Sequence, residues 1–410
     1  MMSANPDYQV IIVGGGLVGA SLAVALGQSG LKVAVVEATA PARDTTSDYN
    51  ERSIALAQGS QQIFAGLDLW SALEPGVCPI HRIHISERGQ CGFSRLRREE
   101  EGVAALGYVA PAWLLSNVLH ARLAQLPDVD LLAPAQVNSF DLDRPLAQLE
   151  LVHAGQTRRL SATMLVAADG AQSAIREQLG IATEQRDYGQ TAIVANLTPE
   201  LDHQHVAYER FTDTGPLALL PMTQGRCALV WTVASDQSEA LLQLDDTAFL
   251  AQLQDRFGYR LGYFRQVGQR HAFPLQLVRA RESSRRRLAL IGNAIHTLHP
   301  VAGQGFNLGL RDVAVLAEVI VDAQRAGQDF GLPSVLQRYT DWRLRDQQRV
   351  VNFTDGLVRL FSTSFLPLQL ARNAGMLAFD LLPPAKRWFG KLAMGRGGRL
   401  PRLARGLPLS

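Results

Sequence analysis

The chain has 410 residues, 47% hydrophobic and 19% charged, enough for two domains or for one large domain carrying an insertion. A net charge of +2 excludes a nucleic-acid polycation. Cys78, Cys91 and Cys227 are its three cysteines; they form no C-x-x-C pair and leave an odd count, which excludes a disulfide framework and points to reduced thiols in a cytosol-like compartment. His203 and His205 form an H-x-H without a supporting carboxylate or thiolate cluster, so no metal site is expected. No signal peptide or membrane span is expected either. The apolar run "VIIVGGGLVGASLAVALG" reads better as strand, glycine turn and alanine-rich helix.

In chain order, "YQVIIV" (8–13) suits a central parallel strand. Gly14, Gly16 and Gly19 follow in G-x-G-x-x-G spacing, a helix runs to about Gly30, and "KVAVVE" gives a second strand ending in Glu37. This is the dinucleotide-binding βαβ pattern in full context: glycines for the tight turn and the approach of a pyrophosphate, a helix N-terminus for its charge, and an acid to accept from the ribose. An ADP moiety is expected there. Residues 50–70 read as a helical pattern through Ile54, Leu56, Ile63 and Leu67, with Glu51 and Arg52 by themselves surface residues. Residues 111–126 form an amphipathic helix. Strand-like pieces follow, and then a strand over 164–168 leads into Asp169-Gly170, with a helix beginning near Ser173.

From about 181 to 275 the texture becomes β-rich, with "DDTAFLAQLQDRFG" as an interrupting helix. Another buried strand (288–291) then leads into "GNAIHTLHPVAGQGFNLGLRD", a glycine-rich loop set against the start of a long helix. The chain ends in Pro-broken helical segments. Beyond Asp380 there are no acids, while Lys386, Arg387, Lys391, Arg396, Arg399, Arg402 and Arg405 accumulate among apolar residues. That segment suits either an anionic membrane surface or acidic partner, or a solvated tail.

The order G-x-G-x-x-G (14–19), Asp169-Gly170, Gly292-Asn293 resembles the group A FAD-dependent aromatic monooxygenases over nearly the whole chain. "HPVAGQGFNLG" and "ERFTDTGPLALLPM" look most like their ubiquinone-biosynthesis branch, nearest to the hydroxylases of 2-polyprenyl-6-methoxyphenol. The resemblance implies an α/β fold of the para-hydroxybenzoate hydroxylase type: a Rossmann-like FAD-binding domain (1–75, 98–180 and 276–350), an inserted β-rich substrate domain (76–97 and 181–275), and a helical C-terminal region (351–410). It implies FAD held by Gly14, Gly16, Gly19, Glu37, Arg52, Asp169, Gly292, Asn293 and the Gly303, Gln304, Gly305, Phe306, Asn307 run. Most of the family has Asp where Asn293 stands; Asn still donates and accepts. Backbone N–H groups from Gly303 to Asn307 would face the flavin pyrimidine carbonyl, with glycine there because a side chain would collide with the ring. Pro300, Gly303 and Gly305 would lie by the reactive edge.

The implied chemistry is NAD(P)H reducing FAD, O₂ adding to the reduced flavin, and the hydroperoxide delivering OH to a phenolic ring. With one dinucleotide fingerprint, NADH or NADPH is expected to bind transiently. His296 and His299 are candidates for a proton relay, with structural roles as the alternative. Leu217, Leu219, Leu220 and Pro221 are core residues by default; the resemblance sets part of their strand against an apolar substrate. The expected partners are the polyprenyl phenol, O₂, and a membrane surface or other ubiquinone-biosynthesis proteins, with no nucleic acid. The expected location is cytoplasmic, peripheral at the inner membrane face. A sister hydroxylase of another ring position or of a soluble phenol, and a non-catalytic FAD-containing subunit, are the competing readings.

Overall fold

Period-two alternation along Tyr8–Val13 decides the first layer arrangement. Val10 and Ile12 point into one apolar cluster, Ile11 and Val13 into another, and all are buried. A strand apolar on both faces must be covered on both. The computed structural model describes residues 5–40, 49–90, 92–297, 303–361 and 383–409. Among them, Tyr8–Val13 pairs in parallel with Gln156–Ala167 on one side and Val33–Val36 on the other. Leu288–Leu290 and Val129–Leu132 extend this sheet in parallel at its two sides. Helices Leu17–Gly27 and Gln304–Arg325 lie on the face that Val10 and Ile12 enter. They pack closely because Gly309 brings its backbone against Val18 and Gly292; a Cβ there would sit 3.0 Å from Val18 Cγ2 and 3.3 Å from Gly292 Cα.

A second sheet runs in the order His296–Thr297, His271–Ala280, Thr183–Pro199, Cys227–Ala234, Gly215–Pro221, Val206–Thr212, Arg82–Glu87, Phe93–Arg97. All its neighbours are antiparallel except Val206–Thr212 with Arg82–Glu87. Ile193, Leu217, Leu219, Leu229 and Trp231 turn to one face, where the helix Asp246–Phe257 covers them with Phe249, Leu253 and Phe257. Asp245 caps that helix, accepting from the Ala248 N–H at 2.8 Å. The opposite face of the sheet lines a cavity.

Two expectations are corrected here. Ile54 and Leu56 belong to a strand, Ser53–Ala57, and the helix starts only at Gln58. Ser53–Ala57 pairs antiparallel with Gly107–Pro111, a long-range contact that overrides the local helical spacing. The C-terminal basic residues are also not simply a solvated tail: Lys386 pairs with Glu100 at 2.9 Å, Arg402 with Glu318 and Asp322, and Arg399 lies 3.8 Å over the Trp342 ring. Among the described residues, no helix is long and apolar enough to cross a membrane.

The joint between the two sheets is organised by one carboxylate. Asp312, wholly buried, accepts from the Gly292 N–H (3.0 Å), His296 Nε2 (2.8 Å), Arg343 Nε (2.6 Å) and Gln347 Nε2 (3.2 Å). Arg343 also pairs with Asp346, which holds Arg311 at 2.9 Å. Burial opposes ionisation of Asp312, but Arg343 and His296 outweigh it and hold the carboxyl below the ordinary carboxylate range. Asp312→Asn removes one of the two carboxylates that neutralise the buried Arg343, so a loss of about 3–5 kcal/mol is expected, read by urea unfolding. Because the native carboxyl is held low, the wild-type advantage is full above about pH 4 and shrinks as the pH falls below that; a gap independent of pH would contradict the assignment.

Candidate functional site

A cavity of about 1490 Å³ lies between the glycine turn after the first strand and the open face of the second sheet. It is larger than the roughly 300–1,000 Å³ of a typical single-ligand pocket. Its wall takes in Gly15, Gly16 and Glu37, then Arg52, then Asn293 and the stretch from Gly303 to Asn307. Residues far apart in sequence thus share one surface.

At the first turn the glycines serve two different needs. Gly14, at φ +105°, carries no Cβ because one would stand 2.4 Å from the Ala168 carbonyl oxygen. A Cβ on Gly19 would meet the Gly14 oxygen at 1.9 Å. Those two positions are fixed by the protein's own packing. Gly16 is different: it faces the cavity, and a Cβ there has nothing within 4 Å. Gly16 also N-caps Leu17–Gly27 without a side-chain cap, leaving first-turn N–H groups open to a ligand. Glu37 accepts from the Gly15 N–H at 2.6 Å and from the Thr39 N–H at 3.0 Å, tying the turn to the end of the second strand.

The late glycine loop repeats this geometry. Gly303 lies at φ +62°, where a Cβ would be 2.8 Å from that of Ala55; it caps Gln304–Arg325 with no side-chain cap, and a Cβ on Gly305 meets nothing within 4 Å. The Asn307 side chain is fully engaged with protein: it accepts from the Ala57 N–H (2.8 Å) and the Ser60 hydroxyl (2.7 Å) and donates to the Ala55 and Gly303 carbonyls (2.9 and 2.7 Å). It clamps the helix start to Ser53–Ala57, leaving only its backbone for a ligand. Phe306 stacks on Phe64 at 6.5 Å. Gln304 is buried and lines the cavity, while Asn293 is exposed at its wall.

Asp169 does not line the cavity itself, though Ala168 and Gly170 do. Its Oδ2 accepts from the Ile175 N–H at 3.3 Å, while Oδ1 is buried with no partner among the described residues. Arg176 joins this turn to the late loop, donating to the Ala171 and Ala294 carbonyls at 2.7 and 2.8 Å. Arg52 does line the cavity, 5.9 Å from the centre of the Phe273 ring. Its neighbour Glu51 is no surface residue. It is a buried ion pair with Arg226 at 2.8 Å, also accepts from Trp113 Nε1 at 2.5 Å, and has its backbone carbonyl held by Asn196 at 2.7 Å. Neither Arg226 nor Trp113 stands near Glu51 in sequence, so only folding reveals that this segment is anchored.

Several sequence expectations are revised. His296 is turned into the Asp312 network and is not part of the cavity wall, which removes it as a direct proton relay. His299 and Pro300 lie outside the described residues, as does Cys91. Leu217 and Leu219 face the helix-covered core, because side chains alternate along a strand. Of the four expected substrate contacts, Leu220 alone is on the cavity wall; Pro221 is buried away from it. The residues that do share that wall are Ala192, Val194, Ala218 and Val230, together with a single acid of the sheet, Glu209. Among the described residues no His, Cys, Asp or Glu cluster is built to hold a metal ion.

These features fit an extended dinucleotide. Two cavity-facing glycines lack any packing reason to be glycine, two uncapped helix N-termini open onto the same space, and a buried carboxylate oxygen at the Asp169-Gly170 turn lacks a partner. Together they define a nucleotide-binding flavoprotein. The chain matches the FAD binding domain family over residues 7–354. It is 42% identical to the ubiquinone hydroxylase UbiL of Rhodospirillum rubrum, over 99% of this chain and 95% of that one. It is 32% identical to the 3-demethoxyubiquinol 3-hydroxylase of Escherichia coli, over 95% and 99%. The crystal structure of p-nitrophenol 4-monooxygenase PnpA from Pseudomonas putida shares the fold, with a TM-score of 0.78 at 19% identity over 96% of this chain and 99% of that one. The chain therefore belongs to the FAD binding domain family and is an FAD-dependent aromatic hydroxylase.

The glycines give a paired test. Gly16→Val is expected to fold with near-native stability of the FAD-free protein yet to lose the flavin absorbance on purification. Gly19→Ala is expected to fail by misfolding. A yellow, fully loaded Gly16→Val protein would contradict the placement of the cofactor.

Proposed function

We propose that this chain hydroxylates the aromatic ring of a polyprenylated phenol of ubiquinone biosynthesis, using O₂ and NAD(P)H, with 2-polyprenyl-6-methoxyphenol as the ring. The observation that carries this reading is the continuity of the cavity. One space joins the glycine turns to a sheet face of Ala192, Val194, Ala218, Leu220 and Val230, an apolar lining suited to a greasy ring. The two relatives support the pathway, and the Gly292-Asn293 pair, which resembles the 6-methoxyphenol branch, supports the ring. A 3-demethoxyubiquinol ring is the second reading, favoured by the name of the E. coli relative.

In this reading 1–75, 98–180 and 276–350 carry the flavin, and 76–97 and 181–275 face the substrate. The Gly16 N–H and the helix start at Leu17 would hold the pyrophosphate, and Glu37 would accept from the ribose. Asp169 and Asn293 serve the ribityl region, while Gly292 sets the turn that presents Asn293. The amides of Gly303 to Asn307, on the uncapped helix, stabilise negative charge on the ring system, with Pro300 beside it. Arg52 would border the same ring, on a segment fixed by the Glu51–Arg226 pair. When bound, FAD supplies hydride acceptance from NAD(P)H and transfer of one oxygen atom of O₂ to the phenol. The protein's work is to orient the ring, exclude water and manage the phenolic proton.

Purified FAD-loaded protein with NADH or NADPH is expected to convert 2-polyprenyl-6-methoxyphenol to a product heavier by one oxygen atom. Conversion of 3-demethoxyubiquinol alone would transfer the assignment to the second ring. Reductant oxidation that neither ring stimulates would reject the reading.

Access to a lipid substrate is the remaining requirement. The helix Pro383–Ala393 exposes Arg387, Trp388 (65% exposed) and Lys391, a mixed basic and aromatic face suited to an anionic bilayer surface. Wild type is expected to co-sediment with vesicles containing acidic lipid, and the triple variant Arg387→Gln, Trp388→Ser, Lys391→Gln to remain in the supernatant. Equal pelleting would discard membrane docking through this helix.

A further inference from the structure

We propose that Glu209 is the general base that takes the phenolic proton of the bound ring. This rests on the phenol-hydroxylase reading above. Glu209 lies on Val206–Thr212, directly across from Ala218, which is across from Val230, which is across from Val194. All four line the cavity. They form a row across four strands in which three members are small or apolar and one is a carboxylic acid.

Two deeply buried acids among the described residues are paired: Glu51 with Arg226 and Asp312 with Arg343. Glu209 has no hydrogen bond or ion pair to any described residue. Its own neighbours along the strand, Tyr208 and Arg210, alternate toward the other face, although Tyr208 also borders the cavity. There Tyr208 packs on Phe257 and Arg210 donates to the Arg256 carbonyl at 3.1 Å. His84, Arg95 and Arg260 interact on that far face as well. On the cavity side, Ala207 and Phe211 flank Glu209 on its own strand. The parallel neighbour Arg82–Glu87 brings Ile83 and Ile85, with Glu87 further along opposite Phe211. The Gly215–Pro221 strand brings Ala218 and Leu220. The titratable side chains elsewhere on the wall include Glu37, Glu51, Arg52 and His120. None of these charges moves Glu209; burial alone pushes its carboxyl up to about 7. It keeps some accessible surface only because it looks into the cavity, with protein on the other sides.

A carboxyl that titrates near neutrality, without a protein partner and facing an apolar binding space, is placed to exchange a proton with a ligand. The step is a simple transfer. The phenolic O–H bond breaks, its electron pair stays on the oxygen, and an O–H bond forms on Glu209. The ring becomes a phenolate, richer in electrons at the carbons ortho and para to that oxygen, which is what an electrophilic oxygen transfer requires. The overall reaction consumes NAD(P)H, one proton and O₂, and yields NAD(P)⁺, the hydroxylated ring and water. The proton held by Glu209 therefore leaves with that water.

The test uses Glu209→Gln, which keeps size and removes ionisation, with flavin content as the control for folding. Turnover of a short-chain 6-methoxyphenol by the FAD-loaded protein is followed as a function of pH. In wild type kcat/KM is expected to rise with pH through about 7 as Glu209 ionises; in Glu209→Gln that rise should be absent, with activity increasing only toward the ordinary phenol range of about 10. The variant's kcat is expected to fall about 10²- to 10⁴-fold, with KM changed far less. Thermal stability supplies a readout independent of turnover. The native carboxyl is raised from its unfolded value of 4.5 to about 7, so folding is increasingly penalised as pH climbs through that interval and the penalty is constant above it. Glu209→Gln escapes it, and its Tm advantage should grow from pH 5 to pH 8. Identical pH–rate profiles, or an unchanged kcat, in the two proteins would overturn the assignment. Failure of wild type to bind any phenol would instead remove the functional reading, and the base would fall with it.

Discussion

A single buried carboxylate sets the geometry on which the site depends. Asp312 takes hydrogen bonds from the backbone of Gly292, from His296 and from Arg343, so it fixes the turn after one strand, the edge of the second sheet, the long helix and the helix that follows. Burying a charge is costly unless it is paired and hydrogen-bonded, and this one has both. The arrangement is rigid because every alternative would leave an uncompensated charge in the interior. The uncapped start of the Gln304–Arg325 helix is held at the cavity from two sides: by this network about two helical turns downstream, and by the saturated Asn307 side chain at Ser53–Ala57.

The same logic repeats at Glu51. A residue that looks like an exposed acid beside an exposed arginine is instead a tether, with Arg226, Trp113 and Asn196 gathered on it from three other elements. Arg52 and Glu51 both border the cavity, and the tether fixes the segment that carries them. Glu209 is the contrasting case: its carboxyl has no partner among the described residues and lies on the cavity wall.

The first nucleotide turn was legible because its requirements are local. Gly14 and Gly19 must be glycine within a few residues of chain, and the strand, helix and acid follow in order. The three-motif order also carried the fold and the FAD assignment. What failed was anything decided by strand facing or distant pairing. Ile54 and Leu56 match a helical spacing but are claimed by the Gly107–Pro111 strand. Leu217 and Leu219 are as apolar as Leu220, and their opposite facing appears only when the Asp246–Phe257 helix covers one side of the sheet. Glu209 did leave a trace: Ala207, Glu209 and Phe211 share a parity, so an acid stood on a face with two buried apolar residues.

By itself the sequence determined the elements whose physics is contained in neighbouring residues: the glycine turns, the capped helices, the alternation along strands, and through their order the flavoprotein class. The tertiary structure alone decided which face of each strand meets the cavity, which acids are neutralised by arginines, and which one is left without a partner. The reason is range. Backbone conformation is set within a few residues, whereas the burial and pairing that govern a carboxyl's charge depend on groups brought from a hundred or more positions away.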